Sequence, residues 1–209
     1  GEMYKEFVSE EEYLRNTGKL PNMEQEPEET VVGDDDLPDL GSMNDLFDEP
    51  EDIVIGGLNM NEVFQSFMNY DNIKNQLVQI FTDMEENHVR TCNFIITGDS
   101  KSGKTTLGRC LVKAMIKRKA INGTQLAKIK ASKFNQMNFE KHKDSLKNSC
   151  LIVENAGDMY VPAIKNLMEA MDDFKGKLVV ILEDHQASLE RLFLENYQLN
   201  EYFNYTIRL

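Results

Sequence analysis

Cys92–Thr106 reads CNFIITGDSKSGKTT, and the rest of the chain can be read outward from it. Its first six residues are a short apolar run, which predicts a buried strand ending at Gly98. From Gly98 to Thr105, GDSKSGKT matches the pattern G-x-x-x-x-G-K-[ST] in full. Gly98 and Gly103 let the backbone curl so that successive N–H groups point into one concavity. A helix beginning near Lys104 adds the positive end of its dipole. Lys104 brings a mobile charge to the outer phosphates of a nucleotide, and the Thr105 hydroxyl can ligate Mg²⁺. The candidate nucleotide-binding residues are therefore Gly98, Asp99, Ser100, Lys101, Ser102, Gly103, Lys104, Thr105 and Thr106. Lys101, in mid-loop, reads as a solvated lysine.

The flanking segments place this loop in an alternating architecture. Ile73, Leu77, Ile80, Phe81 and Met84 recur at helical spacing and predict a helix with one buried face. Leu107, Cys110, Leu111, Ala114 and Met115 repeat that spacing after the loop, with Lys113, Lys117 and Arg118 facing water. Leu126–Ala131, Leu151–Val153, Lys177–Leu182 and Tyr205–Leu209 predict four more strands. Phe139–Lys147 predicts a polar helix, and Val161–Phe174 and Ala187–Glu195 predict two more helices. Strands alternating with helices predict an α/β fold, a five-stranded parallel sheet between helices.

Charge divides the 209 residues into unlike parts. Residues 1–52 hold 18 of the 36 acidic residues, four of the five prolines, and only Lys5, Arg15 and Lys19 as bases. The net charge of −13 therefore belongs to this region, which is expected to be mostly disordered. Residues 53–209 are expected to form the folded domain. Within the acidic region, Ser9 and Glu12 fit a capping box, and Gly18 can close a short helix. Leu37, Leu40, Met43, Leu46 and Phe47, threaded among aspartates, suit a protein partner, though a solubilising linker is the simpler reading. Neither part carries a basic stripe, so nucleic acid is not an expected partner. No apolar run approaches the roughly 18 residues of a membrane span. Cys92, Cys110 and Cys150 lack metal-ligand spacing and read as buried reduced thiols of a cytoplasmic protein.

Residues 62–209 resemble the AAA+ ATPases, in particular the subfamily of the Rubisco activase CbbX and the stage V sporulation protein K. The resemblance is carried by the loop above, by Cys150–Ala156 (CLIVENA), and by Leu178–Leu199 (LVVILEDHQASLERLFLENYQL). In that last stretch Leu189, Glu190, Arg191, Leu192 and Phe193 keep the family's helix pattern, and Asn196 and Leu199 keep the ends of an Asn-Pro-Gly-Leu turn. The resemblance implies ATP or ADP with Mg²⁺ as cofactors and other AAA+ domains or subunits as partners. It implies an adenine contact around Phe67, Asn69 and Tyr70. It ends at Leu209, before the segment that forms the family's helical lid, so the expected architecture has no lid.

The departures from the family concern catalysis. Where the family has Asp-Glu after the strand beginning near Cys150, this chain has Glu154 and Asn155. Glu154 keeps a carboxylate for Mg²⁺, so Thr105 and Glu154 are the candidate metal residues. Asn155 takes the place of the family's general base and cannot accept a proton from water at neutral pH. The polar sensor position falls within Glu183-Asp184-His185, where two carboxylates would repel a γ-phosphate. Glu201, Tyr202 and Phe203 replace the Ser-Arg-Phe that carries the arginine finger, which is worth about 10³–10⁵ in rate. An intact phosphate loop beside three altered catalytic positions points to nucleotide binding with impaired hydrolysis, in a regulatory or structural role. Two alternatives stay open. One is an active ATPase whose finger comes from another subunit, and the other is an interaction module acting through the acidic region.

Overall fold

A computed structural model describes residues 51–209. The Ser9–Gly18 helix and the acidic–apolar segment around 34–48 lie outside the described residues. The first described element is a hairpin of β1 (Val54–Ile55) and β2 (Leu58–Asn59). Its turn is Gly56-Gly57, both with positive φ, the backbone that suits the right-handed twist of paired strands. Asn59 then caps α1 (Met60–Phe64), its side-chain oxygen accepting from the Glu62 N–H at 3.0 Å. The expected helix follows as α2 (Asp71–Glu86). It buries Leu77, Ile80, Phe81 and Met84, while Ile73 is partly covered.

The strand ahead of the loop is β3 (Phe94–Thr97), buried at every position. Lys104 opens α3 (Lys104–Lys117), whose buried stripe includes Leu107, Cys110, Leu111, Ala114 and Met115. Next come β4 (Gln125–Lys130), α4 (Ala131–Gln136) and α5 (Phe139–His142). The expected helix over 139–147 is not continuous. After His142 the chain tightens into a 3₁₀ turn, Lys143–Leu146, where the Ser145 hydroxyl bonds to the His142 carbonyl oxygen and competes with the helical ladder. The later elements are β5 (Ser149–Glu154), α6 (Val161–Asp173), β6 (Leu178–Asp184), α7 (Gln186–Glu195) and β7 (Tyr205–Arg208). Pro162 sits in the first turn of α6, where a missing N–H costs nothing.

Five strands form one parallel sheet in the order β4-β5-β6-β3-β7. The fold is thus α/β with a five-stranded parallel sheet between helices, as the alternation requires. Alternation along each strand sends neighbouring side chains to opposite faces. Ile96, Ile152, Val179 and Ile181 meet α2 and α3 in one core. Ile95, Val153, Val180 and Leu182 meet α6 and α7 in the other. Because the strands are parallel, their carboxyl ends share one edge, where open α/β sheets bind ligands. Register places Thr97 beside Asp184 and Glu154 beside Glu183 along that edge.

Candidate functional site

The loop after β3 turns sharply into α3. Gly103 holds φ 94° at the N-cap of the helix, a left-handed conformation that costs glycine nothing. The Phe67 ring lies against it, 3.5 Å from where a Cβ would stand. Phe67 therefore braces the loop, while Tyr70 stands exposed. Lys101 also has positive φ, at 63°. Lys104 folds back over the loop and donates to the carbonyls of Gly98 at 2.9 Å and Asp99 at 2.7 Å. The Ser102 hydroxyl is buried and has no hydrogen-bond partner. A buried polar group in that state costs free energy until a partner arrives.

A cavity of about 510 Å³ opens over the loop. It is lined by Ser100, Lys101, Gly103, Lys104, Thr105, Thr106, Glu154, Asn155, Glu183 and His185. The structure thus brings the loop and the altered strand ends together. Asp99 projects outward into solvent, with His185 Nδ1 3.9 Å from its carboxylate.

Thr105 stands over the sheet edge. Its hydroxyl lies 2.7 Å from Glu183 Oε1 and 3.3 Å from Glu154 Oε1. Glu154 also has Lys128 of β4 at 3.6 Å. Glu183 is only 4% exposed, and its Oε2 has no partner. Burial pushes the Glu183 carboxyl above the usual carboxylate range. The Thr105 hydrogen bond, Lys104 and Lys128 pull it down, and the Glu154 charge adds to the rise.

Of the two adjacent carboxylates, only Glu183 lines the cavity over the loop. Asp184 points to the other face, as strand alternation demands. Its Oδ2 accepts from the Gly157 N–H at 2.9 Å and its Oδ1 from the His185 N–H at 2.7 Å. It anchors the turn after β5 and the start of α7. Asn155 has φ 51° and ψ 46°, a left-handed backbone that asparagine tolerates better than most residues. Near the end of the chain, Tyr202 donates to Asp172 at 2.8 Å and Phe203 packs edge-on against Phe193 at 5.7 Å.

Sequence reasoning missed the roles of Glu183 and Lys128. Lys128 lies between apolar residues of β4 and Glu183 at the end of an apolar run in β6, and only the side-by-side packing of β4, β5 and β6 brings them to Glu154. The three cysteines are free and buried, as read. No described helix is long and apolar enough to cross a membrane.

No protein-family model matches the chain, and no curated protein sequence does. Among solved structures it is similar to RuvB of Thermotoga maritima, at 15% identity and a TM-score of 0.49, covering 66% of this chain and 44% of that one. It is also similar to PCH-2 of C. elegans, at 12% identity and a TM-score of 0.48, covering 74% and 47%. The chain spans less than half the length of either.

Proposed function

We propose that residues 53–209 are an AAA+-like nucleotide-binding domain that holds ATP or ADP with Mg²⁺ and hydrolyses it poorly. The observation that carries this reading is the junction beneath α3. Lys104 and Thr105 head the helix over the Glu154 carboxylate, while the next residue, Asn155, offers no base. The loop's N–H groups and the α3 dipole would hold the phosphates, and Lys104 would exchange its bonds to the Gly98 and Asp99 carbonyls for phosphate oxygens. The unpartnered Ser102 hydroxyl is a further donor for the same ligand.

The residues present fit Mg²⁺. Thr105 and Glu154 offer hard oxygen donors, and a buried carboxylate oxygen of Glu183 waits without a partner. Among the described residues no group of three or more His, Cys, Asp or Glu could hold a metal ion. In this reading the cation arrives with the nucleotide, held by Thr105 and Glu154. Bound there, it would neutralise charge on the outer phosphates. Asn155 can orient a water but cannot deprotonate it. A domain in this state can keep a ring or multi-domain assembly together, or report occupancy to its neighbours.

Calorimetric titration with ATP and Mg²⁺ tests the binding, with Lys104→Ala as control. Saturable binding that the variant loses is the expected result, and equal binding by both proteins would overturn it. Single-turnover hydrolysis of bound ATP tests the impairment. A rate comparable with active AAA+ proteins would replace this reading with the working ATPase.

A further inference from the structure

The carboxylate that governs Thr105 is not the one the sequence pattern nominates. Glu154 occupies the position where the family keeps its metal-supporting acid, at the end of β5. Yet the Thr105 hydroxyl is 2.7 Å from Glu183 Oε1 and 3.3 Å from Glu154 Oε1. A hydroxyl has one proton to donate. The shorter contact takes it, so the bond runs to β6, the central strand of the sheet. This leaves the Thr105 lone pairs free for a cation and sets their direction. Glu154 is left beside Lys128, 3.6 Å away.

The second oxygen of Glu183 supplies an independent indication. Oε2 is buried without a hydrogen-bond partner on a residue only 4% exposed, beside Gly108 of α3. The carboxylate keeps Thr105 on one oxygen and the charges of Lys104 and Lys128 nearby, but no protein donor satisfies Oε2. A donor brought in by a ligand, such as a water on a bound cation, would satisfy it. The backbone holds Glu183 where this is possible. Ile96 of β3 and Glu154 of β5 flank it in register, and its apolar strand neighbours Ile181 and Val179 are fully buried.

We propose that Glu183 is the positioning residue of the cation site, fixing the Thr105 hydroxyl so that it accepts Mg²⁺ delivered with the nucleotide. Glu183 would position Thr105 from β6, while Glu154 of β5 stays the candidate carboxylate ligand. It rests on the nucleotide-binding reading above, and it makes Glu183 a contributor to Mg²⁺ affinity instead of a charge that repels phosphate. Metal-site partners of this outer kind are typically worth about 10- to 100-fold in metal affinity.

The test is the ATP affinity of the full chain measured in Mg²⁺ and again in EDTA. The ratio of the two reports the cation's share. For Glu183→Ala the Mg²⁺ enhancement should fall about 10- to 100-fold, with the EDTA affinity unchanged or tighter. Glu183→Gln, which keeps an oxygen for Thr105, should fall less and serves as the second variant if the alanine protein does not fold. In a Thr105→Ala background, Glu183→Ala should have no further effect, because Glu183 acts through that hydroxyl.

Three results would overturn the proposal. The EDTA affinity could fall in parallel, which marks a merely structural role. Mg²⁺–ATP binding could tighten, which marks repulsion. The Glu183 effect could also persist in full without Thr105. Wild-type protein that binds ATP equally with and without Mg²⁺ would sink this inference alone and leave the nucleotide reading standing. Wild-type protein that binds no nucleotide in either arm would sink both.

Discussion

The phosphate loop and the sheet edge beneath it face each other across one cavity, and their chemistry differs. Gly98–Thr106 matches the phosphate-loop pattern, with a left-handed Gly103 and a helix that starts at Lys104. The edge departs from the AAA+ pattern that the sequence resembles. Glu154 replaces the expected acid, Asn155 the base, and Glu183 and Asp184 stand where a neutral polar sensor is expected. The structure gives these replacements separate duties. Glu183 holds Thr105, Asp184 pins the Gly157 turn and the start of α7, and Asn155 suits a left-handed backbone position. In the structure Glu183 supports the loop, while Asp184 supports the turn after β5 and the start of α7. In the proposed function binding belongs to the loop, through backbone N–H groups and one lysine, and position 155 offers no base for turnover.

Placing a carboxylate at position 155 is the strongest challenge to this division. Asn155→Glu should raise single-turnover hydrolysis by about 10²-fold, the lower end of what a positioned general base contributes. Its left-handed backbone will cost the glutamate about 1 kcal/mol, so the melting temperature should be recorded alongside. An unchanged rate in a folded variant would mean that another group limits turnover. On the loop side, Lys104→Ala should weaken ATP binding about 10- to 100-fold, the worth of one or two charge-assisted hydrogen bonds. Calorimetry reads this directly, and a change below threefold would show that the backbone cradle suffices.

Asp184→Ala sharpens the comparison by asking whether the edge is structural. It removes a buried acceptor from the Gly157 and His185 N–H groups. The expected loss is about 2 kcal/mol of stability, or roughly 4–8 °C in melting temperature, with ATP affinity within about twofold once folded. A large loss of affinity without a change in melting temperature would assign Asp184 to the ligand.

The smallest effect concerns the thiols behind both regions. Burial pushes Cys92 and Cys150 up to about 12 and Cys110 up to about 11, from an ordinary 9.0. The folded state holds these protons more tightly than the unfolded chain. Their contribution is full below about pH 9 and is lost as pH rises through the folded values. Melting temperature should therefore decline above pH 9, and a thiol reagent at pH 8 should modify none of the three without denaturant. Rapid labelling of the native protein would contradict their burial.

The gaps in the sequence reading have particular causes. The Gly56-Gly57 hairpin was available as a turn signal, but its strands are only two residues each and are hidden by the apolar run around them. Periodicity over 139–147 suggested one helix, and a local bond from Ser145 divided it. Glu183 and Asp184 are adjacent in sequence yet opposite in role, and nothing in a linear pattern says which face of β6 meets α3.

What the sequence determined by itself is local. It set the loop, the helices with a buried stripe and the apolar strands, because each follows from residue type and spacing along a few turns of chain. Tertiary structure decided the partners. Which carboxylate takes the Thr105 proton depends on β5 and β6 lying side by side in one register. That register is set by packing between strands 23 or more residues apart in the chain, a distance over which periodicity carries no information.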